Sequence, residues 1–248
     1  MYGTLTPSLS KAYWDEQKRA CAESIGVPAD AWVAALDDTW HERVSGLFGG
    51  MTQTFRTVAE RAGHTPTQEQ VTAAVEARLV AYRQGQRLRP DALETLRSLR
   101  ADGMRLALVS DCTHELPLIW DRTPLAEHFD ATVFSCVEQT RKPDPRLFRA
   151  AARRLGVPAA QCLYVGDGGG DEMNGSAAVG MVPVLLAGPD WADNHAPGRP
   201  ETWTGLRAET LSEIPAIAAA HRAAARAGAD ADAGTAAEAD TGAGLSRT

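Results

Sequence analysis

Apolar side chains recur at three- and four-residue spacing through the first third of the chain, the pattern of amphipathic helices. The first such series ends at Gly49-Gly50 and consists of Trp32, Leu36, Trp40, Val44 and Leu47. A second series of the same kind ends at Gly63. Thr65, Pro66 and Gln68 then carry the N-cap, first-turn proline and N3 glutamine signature of a helix start. The pattern predicts an all-helical module over residues 11–87.

After Pro90 the pattern changes to short apolar runs that alternate with helical stretches. Four of these runs are predicted strands: 106–109, 131–134, 163–165 and 182–186. A repeated βα order is typical of a parallel sheet with helices on both faces. The predicted fold class is therefore α/β, a Rossmann-like parallel sheet flanked by helices, with the all-helical module inserted.

The last part of the chain has a different composition. From about Ala218 it consists of Ala, Gly, Asp, Arg and Thr with almost no large apolar residue. Such a segment cannot bury enough apolar surface to offset the entropy of ordering it. We predict that residues 218–248 are a disordered tail, or at most a frayed helix.

Charge and cysteine usage narrow the functional classes. The 248 residues carry a formal charge of −7 with a pI near 5.4, and Lys and Arg form no cluster, which argues against nucleic-acid or anionic-membrane partners. A small-molecule substrate is the better expectation. The four cysteines show no C-x-x-C spacing, no stretch is apolar enough to span a membrane, and no secretory leader is recognisable. These features predict a reduced, cytoplasmic protein.

A Gly-rich acidic turn follows the strand predicted at 163–165. Asp167 stands directly after this strand, and Asp171 and Glu172 open the next helix. Carboxylates this close repel one another unless a cation lies between them, and oxygen ligands without His or Cys suit Mg²⁺ better than zinc. The alternative is an ordinary Asp-Gly turn whose acids are solvated and favoured by the helix dipole.

Two further polar residues follow predicted strands or lie in stiffened turns. Ser110 follows the run 106–109, where its hydroxyl and the backbone N–H groups of the turn would suit an oxyanion. Lys142 lies between Arg141 and two prolines, which restrict the backbone and reduce the entropy lost in holding a fixed positive charge. Taken singly, Ser110 is more typical of an ordinary strand end, and Lys142 of a solvated turn.

Taken in order, these segments resemble the motifs of the haloacid dehalogenase-like hydrolase superfamily. The four segments are Tyr2-Gly3-Thr4-Leu5, Ser110, Lys142 in its Lys-Pro-Asp-Pro turn, and Gly166-Asp167 with its later acids. The helical module after the first motif resembles the cap of helical-cap members. The resemblance covers residues 1–217 and implies a core of 1–10 and 88–217 with a cap of 11–87.

The resemblance also implies roles. It makes Thr4, Ser110, Lys142 and Asp167 catalytic candidates, and it adds Tyr2, Gly3 and Asp111 as substrate-binding candidates beside Ser110 and Lys142. Asp167, Asp171 and Glu172 become candidate Mg²⁺ ligands, with Asp171 and Glu172 alternatively holding Lys142. The family's nucleophilic Asp falls one residue before Met1. Tyr2 matches a position where the family's phosphatases carry a second Asp, and there the chain resembles its dehalogenases.

These matches leave three functions open. The leading expectation is a Mg²⁺-dependent phosphatase that acts on a small phosphomonoester through an aspartyl-phosphate intermediate. The alternatives are a 2-haloacid dehalogenase, favoured by Tyr2, and an inactive chain that keeps only the scaffold. Because Met1 stands where the family often has Val or Leu, we also expect that a GTG or TTG codon was read as the start, with a strand and its Asp upstream.

Overall fold

Helices alone make up the segment predicted to be the cap. In the computed structural model, the described residues are 1–8, 10–191 and 203–224. Within them the cap helices are α1 (Lys11–Arg19), α2 (Ala22–Ile25), α3 (Ala29–Asp38), α4 (Trp40–Val44), α5 (Met51–Arg61) and α6 (Gln68–Gln84). They enclose an apolar core of their own, in which Trp32 packs edge-on against Phe55 with ring centroids 5.3 Å apart.

The predicted start of α6 is wrong by two residues. The N-cap is Thr67 rather than Thr65: its hydroxyl accepts from the Gln70 N–H at 3.2 Å, and the Gln70 side chain accepts from the Thr67 N–H at 2.9 Å. Both threonines have a glutamine three residues later. Since both pairs satisfy the spacing of a capping box, the spacing could not choose between them.

The first apolar series is divided between two helices. The Thr39 hydroxyl donates to the Ala35 carbonyl at 2.6 Å, and Arg43 donates to the Leu36 carbonyl at 2.6 Å. These side-chain bonds compete with continuation of the helical ladder, and α3 ends at Asp38. As a result Trp40 and Leu47 are exposed although the periodicity predicts them to face the same core.

The remainder is an α/β core, as predicted. Its strands are β1 (Ala107–Ser110), β2 (Ala131–Phe134), β3 (Leu163–Gly166), β4 (Val182–Leu186) and β5 (Leu206–Ala208). Its helices are α7 (Ala92–Ala101), α8 (Glu115–Ile119), α9 (Ser135–Glu138), α10 (Pro145–Leu155), α11 (Glu172–Ala177) and α12 (214–224). Single 3₁₀ turns occur at Trp120–Arg122, Ala126–His128, Ala159–Gln161, Gly169–Asp171 and Leu211–Glu213.

All of these strand pairs are parallel, which confirms the predicted sheet type. The four predicted strands are present, and β5 was not predicted. The pairing is divided into two parts: β1 pairs with β2, and β3, β4 and β5 pair in that order. The carboxyl ends of β1 and β3 carry the residues that the sequence singled out.

Helices cover both faces of the strands and form two apolar clusters. On one side, α7, α8 and α12 pack with Met1 and Leu5. On the other side, α10 and α11 pack with residues such as Val133 and Leu185. Burial on both faces explains why the strands have continuous apolar sequences rather than alternating ones.

The predicted boundary at residue 217 falls inside α12. Ala218 is buried against the core, and the Arg222 side chain donates to the Asp102 carbonyl at 2.6 Å. Residues 218–224 therefore belong to an ordered helix and not to the predicted tail; the remainder of that tail lies outside the described residues. Among the described residues, no helix combines the length and apolar character needed to cross a membrane.

Cap and core are joined by buried contacts. The Arg78 guanidinium on α6 donates to the Glu115 carboxylate on α8 at 2.8 Å, and both side chains are buried. The Ser135 hydroxyl donates to the Val44 carbonyl at 2.6 Å. Gly46 lies so close to the Cys136 carbonyl that a Cβ at position 46 would overlap it. The contacts between the two segments thus include a buried ion pair, a buried hydrogen bond and a close backbone approach.

Candidate active site

The site lies where the chain leaves the carboxyl ends of β1 and β3. A cavity of about 560 Å³ reaches this edge, and Met1, Thr4, Lys142, Asp167 and Glu172 line it there. Three of the four segments that the sequence analysis singled out therefore line one cavity. The fourth segment, Ser110-Asp111, adjoins them through the contact of Asp111 with Lys142.

Lys142 and Glu172 form a buried ion pair at the centre of this edge. The Lys142 ammonium donates to Glu172 Oε2, and both side chains are almost fully enclosed. Burial alone would lower the pKa of Lys142, but the charge of Glu172 outweighs it and raises that pKa well above its ordinary value. Burial would likewise raise the pKa of Glu172, yet Lys142 lowers it. Both groups are consequently charged near neutral pH.

Three other groups hold the Glu172 carboxylate. The Tyr164 hydroxyl on β3 donates to Oε2 at 2.7 Å, and the Gly168 N–H donates to Oε1 at 2.9 Å. A Cβ at Gly166 would overlap this carboxylate, so any larger residue at the end of β3 would displace the Glu172 side chain. The sequence analysis left two uses open for Glu172, and the structure shows it holding Lys142.

Asp111 positions the backbone of the Lys142 turn. Its Oδ1 accepts from the Lys142 N–H at 3.0 Å. Burial raises the pKa of Asp111, while the charge of Lys142 acts in the opposite direction. Ser110, the last residue of β1, is buried. Asp111 therefore holds the backbone of the Lys142 turn. The sequence analysis named it only as a substrate-binding candidate and did not predict this contact.

The two remaining acids differ in their surroundings. Asp167 is buried, with its Oδ1 3.4 Å from the Gly169 N–H, and its carbonyl accepts from the Trp191 indole at 2.9 Å. Asp171 is partly exposed and accepts from the Asn174 amide at 2.7 Å. In residues 1–8, 10–191 and 203–224, no three His, Cys, Asp or Glu side chains are grouped as a metal site.

The first residues of the chain are fixed by contacts with the cap and with one arginine. Tyr2 packs edge-on against Trp14, its hydroxyl bonds to that of Tyr82 on α6, and burial raises its pKa. The Gly3 and Thr4 carbonyls accept from Arg89 at 3.0 and 2.9 Å. Tyr2 is thus a packing residue between core and cap, and it presents no acid group to the site.

The amino group of Met1 is buried beside the charged residues of the site. Burial lowers its pKa; the Lys142 charge adds to this effect, and the Glu172 and Asp167 charges oppose it. The Met1 carbonyl accepts from the N–H groups of Thr4, Leu5 and Thr6 at 3.2, 2.8 and 3.2 Å. This tight turn holds the Met1 nitrogen at the carboxyl edge of the sheet.

Sequence reasoning missed several residues that support the site. Tyr164 lies within an apolar run typical of a buried strand. The one indication of a polar role is that a buried tyrosine hydroxyl usually has a hydrogen-bond partner. The Arg89 side chain also pairs with Asp190, its Nη1 2.9 Å from Oδ1, across 101 positions of sequence. No local pattern relates residues so far apart.

A buried lysine–carboxylate pair at the carboxyl edge of a parallel α/β core, in a chain that also carries a helical module, is typical of capped hydrolases. Comparison with family models gives the particular family: residues 1–179 match the model described as "haloacid dehalogenase-like hydrolase". The chain belongs to this family, as its motifs suggest.

Relatives with curated names include several phosphatases. The chain is 32% identical over 192 residues to the glyceraldehyde 3-phosphate phosphatase of Methanopyrus kandleri, which covers 74% of this chain and 79% of that protein. It is 31% identical over 201 residues to the phosphoserine phosphatase of Thermus thermophilus, covering 78% and 76%. A mouse relative, haloacid dehalogenase-like hydrolase domain-containing protein 3, is 40% identical over 100 residues, and the match spans only 40% of each protein.

Solved structures show the same fold at lower identity. A 2-haloacid dehalogenase from Pseudomonas syringae superposes with a TM-score of 0.63 at 22% identity, covering 87% of this chain and 94% of that one. A phosphatase of the same superfamily from Thermococcus onnurineus superposes with a TM-score of 0.57 at 20% identity, covering 83% and 88%. At this identity both support the fold alone.

Proposed function

We propose that this hydrolase is a Mg²⁺-dependent phosphatase that acts on a small phosphomonoester through an aspartyl-phosphate intermediate. The observation that carries the proposal is the buried Lys142–Glu172 pair at the carboxyl edge of the sheet, beside Asp167. The two relatives that match about three quarters of the chain are both named as phosphatases. Their names differ in substrate, so the proposal stops at the class of small phosphomonoesters.

Lys142 supplies the fixed positive charge that phosphoryl transfer requires. Its ammonium is held in place by Glu172, and its backbone by Asp111, so little reorganisation is needed when an anion arrives. In the proposed complex, the Ser110 hydroxyl and the N–H groups of the turn after β1 hydrogen-bond the phosphate oxygens. Positioning and charge neutralisation are the main contributions a protein makes to this reaction.

The donor set fits Mg²⁺. Asp167 is a buried carboxylate directly after β3, and it lines the cavity. Asp171 is partly exposed, and Glu172 holds Lys142. Proteins commonly hold Mg²⁺ through one or two carboxylates, with water and substrate phosphate supplying the rest. Asp167 is therefore the proposed ligand, and Asp171 is the reserve candidate. The ion would neutralise charge on the phosphoryl group.

In the proposed mechanism the nucleophile is an aspartate directly before Met1. By its motif match, the family's aspartate would be joined to the amino group of Met1, and that nitrogen lies beside Lys142 and Asp167. An aspartate joined there would be delivered to the charged end of the cavity. The printed chain is accordingly expected to be inert as a phosphatase, and the chain with this residue supplied is expected to be active.

The test compares three proteins: the printed chain, the chain preceded by an apolar strand that ends in Asp, and a matched chain whose extension ends in Asn. Each is incubated with Mg²⁺ and a panel of phosphate esters, and inorganic phosphate is measured. Release is expected only from the Asp form, to be lost with chelator or with Asp167→Asn. An Asp form that releases no phosphate and binds no beryllofluoride, a mimic of the aspartyl phosphate, would contradict the proposal.

Tyr2 favours a second candidate, a 2-haloacid dehalogenase. The Tyr2 hydroxyl bonds to Tyr82 and its pKa is raised, so this position offers no acid to protonate an alkoxide leaving group. Halide leaves without a proton, and the displacement needs no metal. Halide release from 2-haloacids by the Asp form, undiminished by chelator, would favour this function over the phosphatase.

A further inference from the structure

Two of the four cysteines lie side by side where the chain leaves β1 and β2. These strands are parallel neighbours, and their register ends with Ser110 opposite Phe134. Cys112 and Cys136 each follow two residues later, and both are buried. Neighbouring strands are about 4.8 Å apart, and a disulfide spans Cα separations of about 4.4–6.8 Å. The register therefore places the two cysteines within the span of a disulfide.

Ser135 holds the two turns together beyond the ends of the strands. Its hydroxyl accepts from the Cys112 N–H at 2.9 Å and lies 3.2 Å from the Cys112 carbonyl oxygen. Burial raises the pKa of the Cys112 thiol, and a hydrogen bond with the Cys136 thiol raises that pKa further. The two thiols therefore meet directly inside the protein.

The other two cysteines are engaged differently. Cys21 is enclosed in the apolar core of the cap, where its sulfur accepts from the Trp32 indole at 3.3 Å. Cys162 precedes β3 and is only partly buried, and its thiol donates to the Pro158 carbonyl at 3.5 Å. Since each of these thiols contacts a group other than a cysteine, proximity selects Cys112 and Cys136 for pairing.

We propose that Cys112 and Cys136 form a redox site, at which a peroxide closes a reversible disulfide. The thiolate of one cysteine attacks a peroxide oxygen and becomes a sulfenic acid, while the released hydroxide takes up the thiol proton as water. The second sulfur then attacks the sulfenic sulfur, and the sulfenic oxygen leaves as water with the second thiol proton. Two thiols are thus oxidised to one disulfide, and one peroxide is reduced to two waters.

The two steps differ in speed. Because burial raises the pKa of Cys112, little thiolate is present near neutral pH, and the first attack on peroxide is slow. The second attack is fast, because the partner thiol is already in contact with the sulfenic sulfur. The pair should therefore respond to sustained exposure to peroxide rather than to a brief pulse.

The disulfide would act on the candidate site through the neighbours of each cysteine. Asp111, which precedes Cys112, accepts from the Lys142 N–H, and the Cys136 carbonyl lies against Gly46 of the cap. An S–S bond is about 2 Å long, shorter than any contact between unbonded sulfur atoms, so the turns after β1 and β2 must move toward each other. Oxidation should therefore disturb the Lys142 turn and the contact between cap and core together.

The experiment treats the printed chain with hydrogen peroxide, blocks the remaining thiols and digests the protein with trypsin. Cleavage after Arg105, Arg122 and Arg141 places the two cysteines on separate peptides, 106–122 and 123–141. We expect mass spectrometry to find these two peptides joined, and dithiothreitol to separate them. The same treatment in urea is the control, since an unfolded chain should join its cysteines without this preference.

Amide exchange then measures whether the disulfide reaches the candidate site. The Lys142 N–H should exchange about tenfold faster in the oxidised chain and return to its original rate with dithiothreitol. Cys136→Ala should show neither the joined peptides nor the faster exchange. Cys162→Ala is the matched control and should retain both. Should Cys136→Ala fail to fold, the parent chain and Cys162→Ala still decide the outcome.

Oxidation of Cys112 and Cys136 to sulfinic acids without linkage would overturn the proposal. So would joined peptides that are equally abundant after treatment in urea, since native proximity would then play no part. Joined peptides with unchanged exchange of the Lys142 N–H would overturn the effect on the candidate site. These readouts do not involve phosphate release, so they remain valid if the phosphatase proposal fails.

Discussion

The Lys142 ammonium and the Glu172 carboxylate form an ion pair in which both side chains are buried. The two residues come from separate turns, one before α10 and one at the start of α11. Their pairing joins the segment after β2 to the segment after β3. The charge available to a bound anion therefore depends on how firmly Glu172 is held.

Removing the charge of Glu172 should destabilise the protein strongly. Glu172→Gln leaves Lys142 buried without its counter-ion, and breaking a buried pair in this way costs about 3–5 kcal/mol. The free energy of unfolding in urea measures the loss. Glu42→Gln is the matched control, since the Glu42–Arg61 pair at 2.8 Å is partly exposed to solvent and should cost only about 0.2–1 kcal/mol. Equal losses in the free energy of unfolding would show that burial does not increase the contribution of the Lys142–Glu172 pair to stability.

Tyr164→Phe should weaken the hold on Glu172 and shift its titration. Loss of the 2.7 Å hydrogen bond to Oε2 costs about 1–3 kcal/mol and raises the pKa of Glu172, because the phenol hydrogen bond favours the ionised form. A carboxyl with a lowered pKa contributes stability above its unfolded pKa and loses it as the pH falls. The acid limb of the stability curve should therefore move to higher pH in Tyr164→Phe.

Tyr13→Phe is the control for that variant. It deletes a hydroxyl bonded to the Gly85 carbonyl at 2.7 Å, outside the candidate site. We expect a comparable small loss of stability with no displacement of the acid limb. If both variants move the limb equally, the tyrosine at 164 does not act through Glu172.

Gly166→Ala should disturb the same carboxylate by steric overlap. A Cβ there would meet Glu172 Oε1, and overpacking of this kind costs about 1–3 kcal/mol. The cost should largely disappear when Glu172→Ala is already present, because the overlapping group is then gone. Gly50→Ala, with no atom near the new Cβ, is the control and should cost about 1 kcal/mol or less. Additive losses in the double variant would contradict the proposed overlap.

The cap–core pair should make the protein acid-sensitive. Burial would raise the pKa of Glu115, but Arg78 outweighs it and lowers that pKa from 4.5 to about 2. Because the folded value is the lower one, this stabilisation is present above pH 4.5 and is lost as the pH falls toward 2. At 1.36 kcal/mol per unit the loss is about 3 kcal/mol. Urea unfolding between pH 5 and pH 2 measures it, and Glu115→Gln should show a shallower decline than the parent.

The parallel strands could be read from the sequence because each is a short apolar run that ends at Gly or a polar residue. β5 has no such run: Leu206, Arg207 and Ala208 are mixed, and two of the three are exposed. β5 forms because it pairs with β4, and its own residues show no pattern typical of a strand. The same limit explains why the predicted tail begins too early, at residue 218, since Ala218 is buried by its neighbours rather than by its size.

The candidate site, too, could be predicted from the sequence only in part. Lys142, Asp167 and Glu172 could be identified because their order along the chain resembles the motifs of the family. The ion pair between cap and core could not: Glu115 is 37 positions from Arg78, and nothing near either residue indicates the other. Tyr164 was read as core, and the structure adds that its hydroxyl faces a carboxylate.

The contact between Gly46 and the Cys136 carbonyl has a consequence for which residues position 46 can accept. Because main-chain atoms meet there with no side chain between them, the spacing of the two domains cannot be adjusted by exchanging one residue for a slightly larger one. Any bulkier amino acid at position 46 would wedge the domains apart as a whole. A substitution there would therefore be tolerated only together with a shift of the backbone around Cys136.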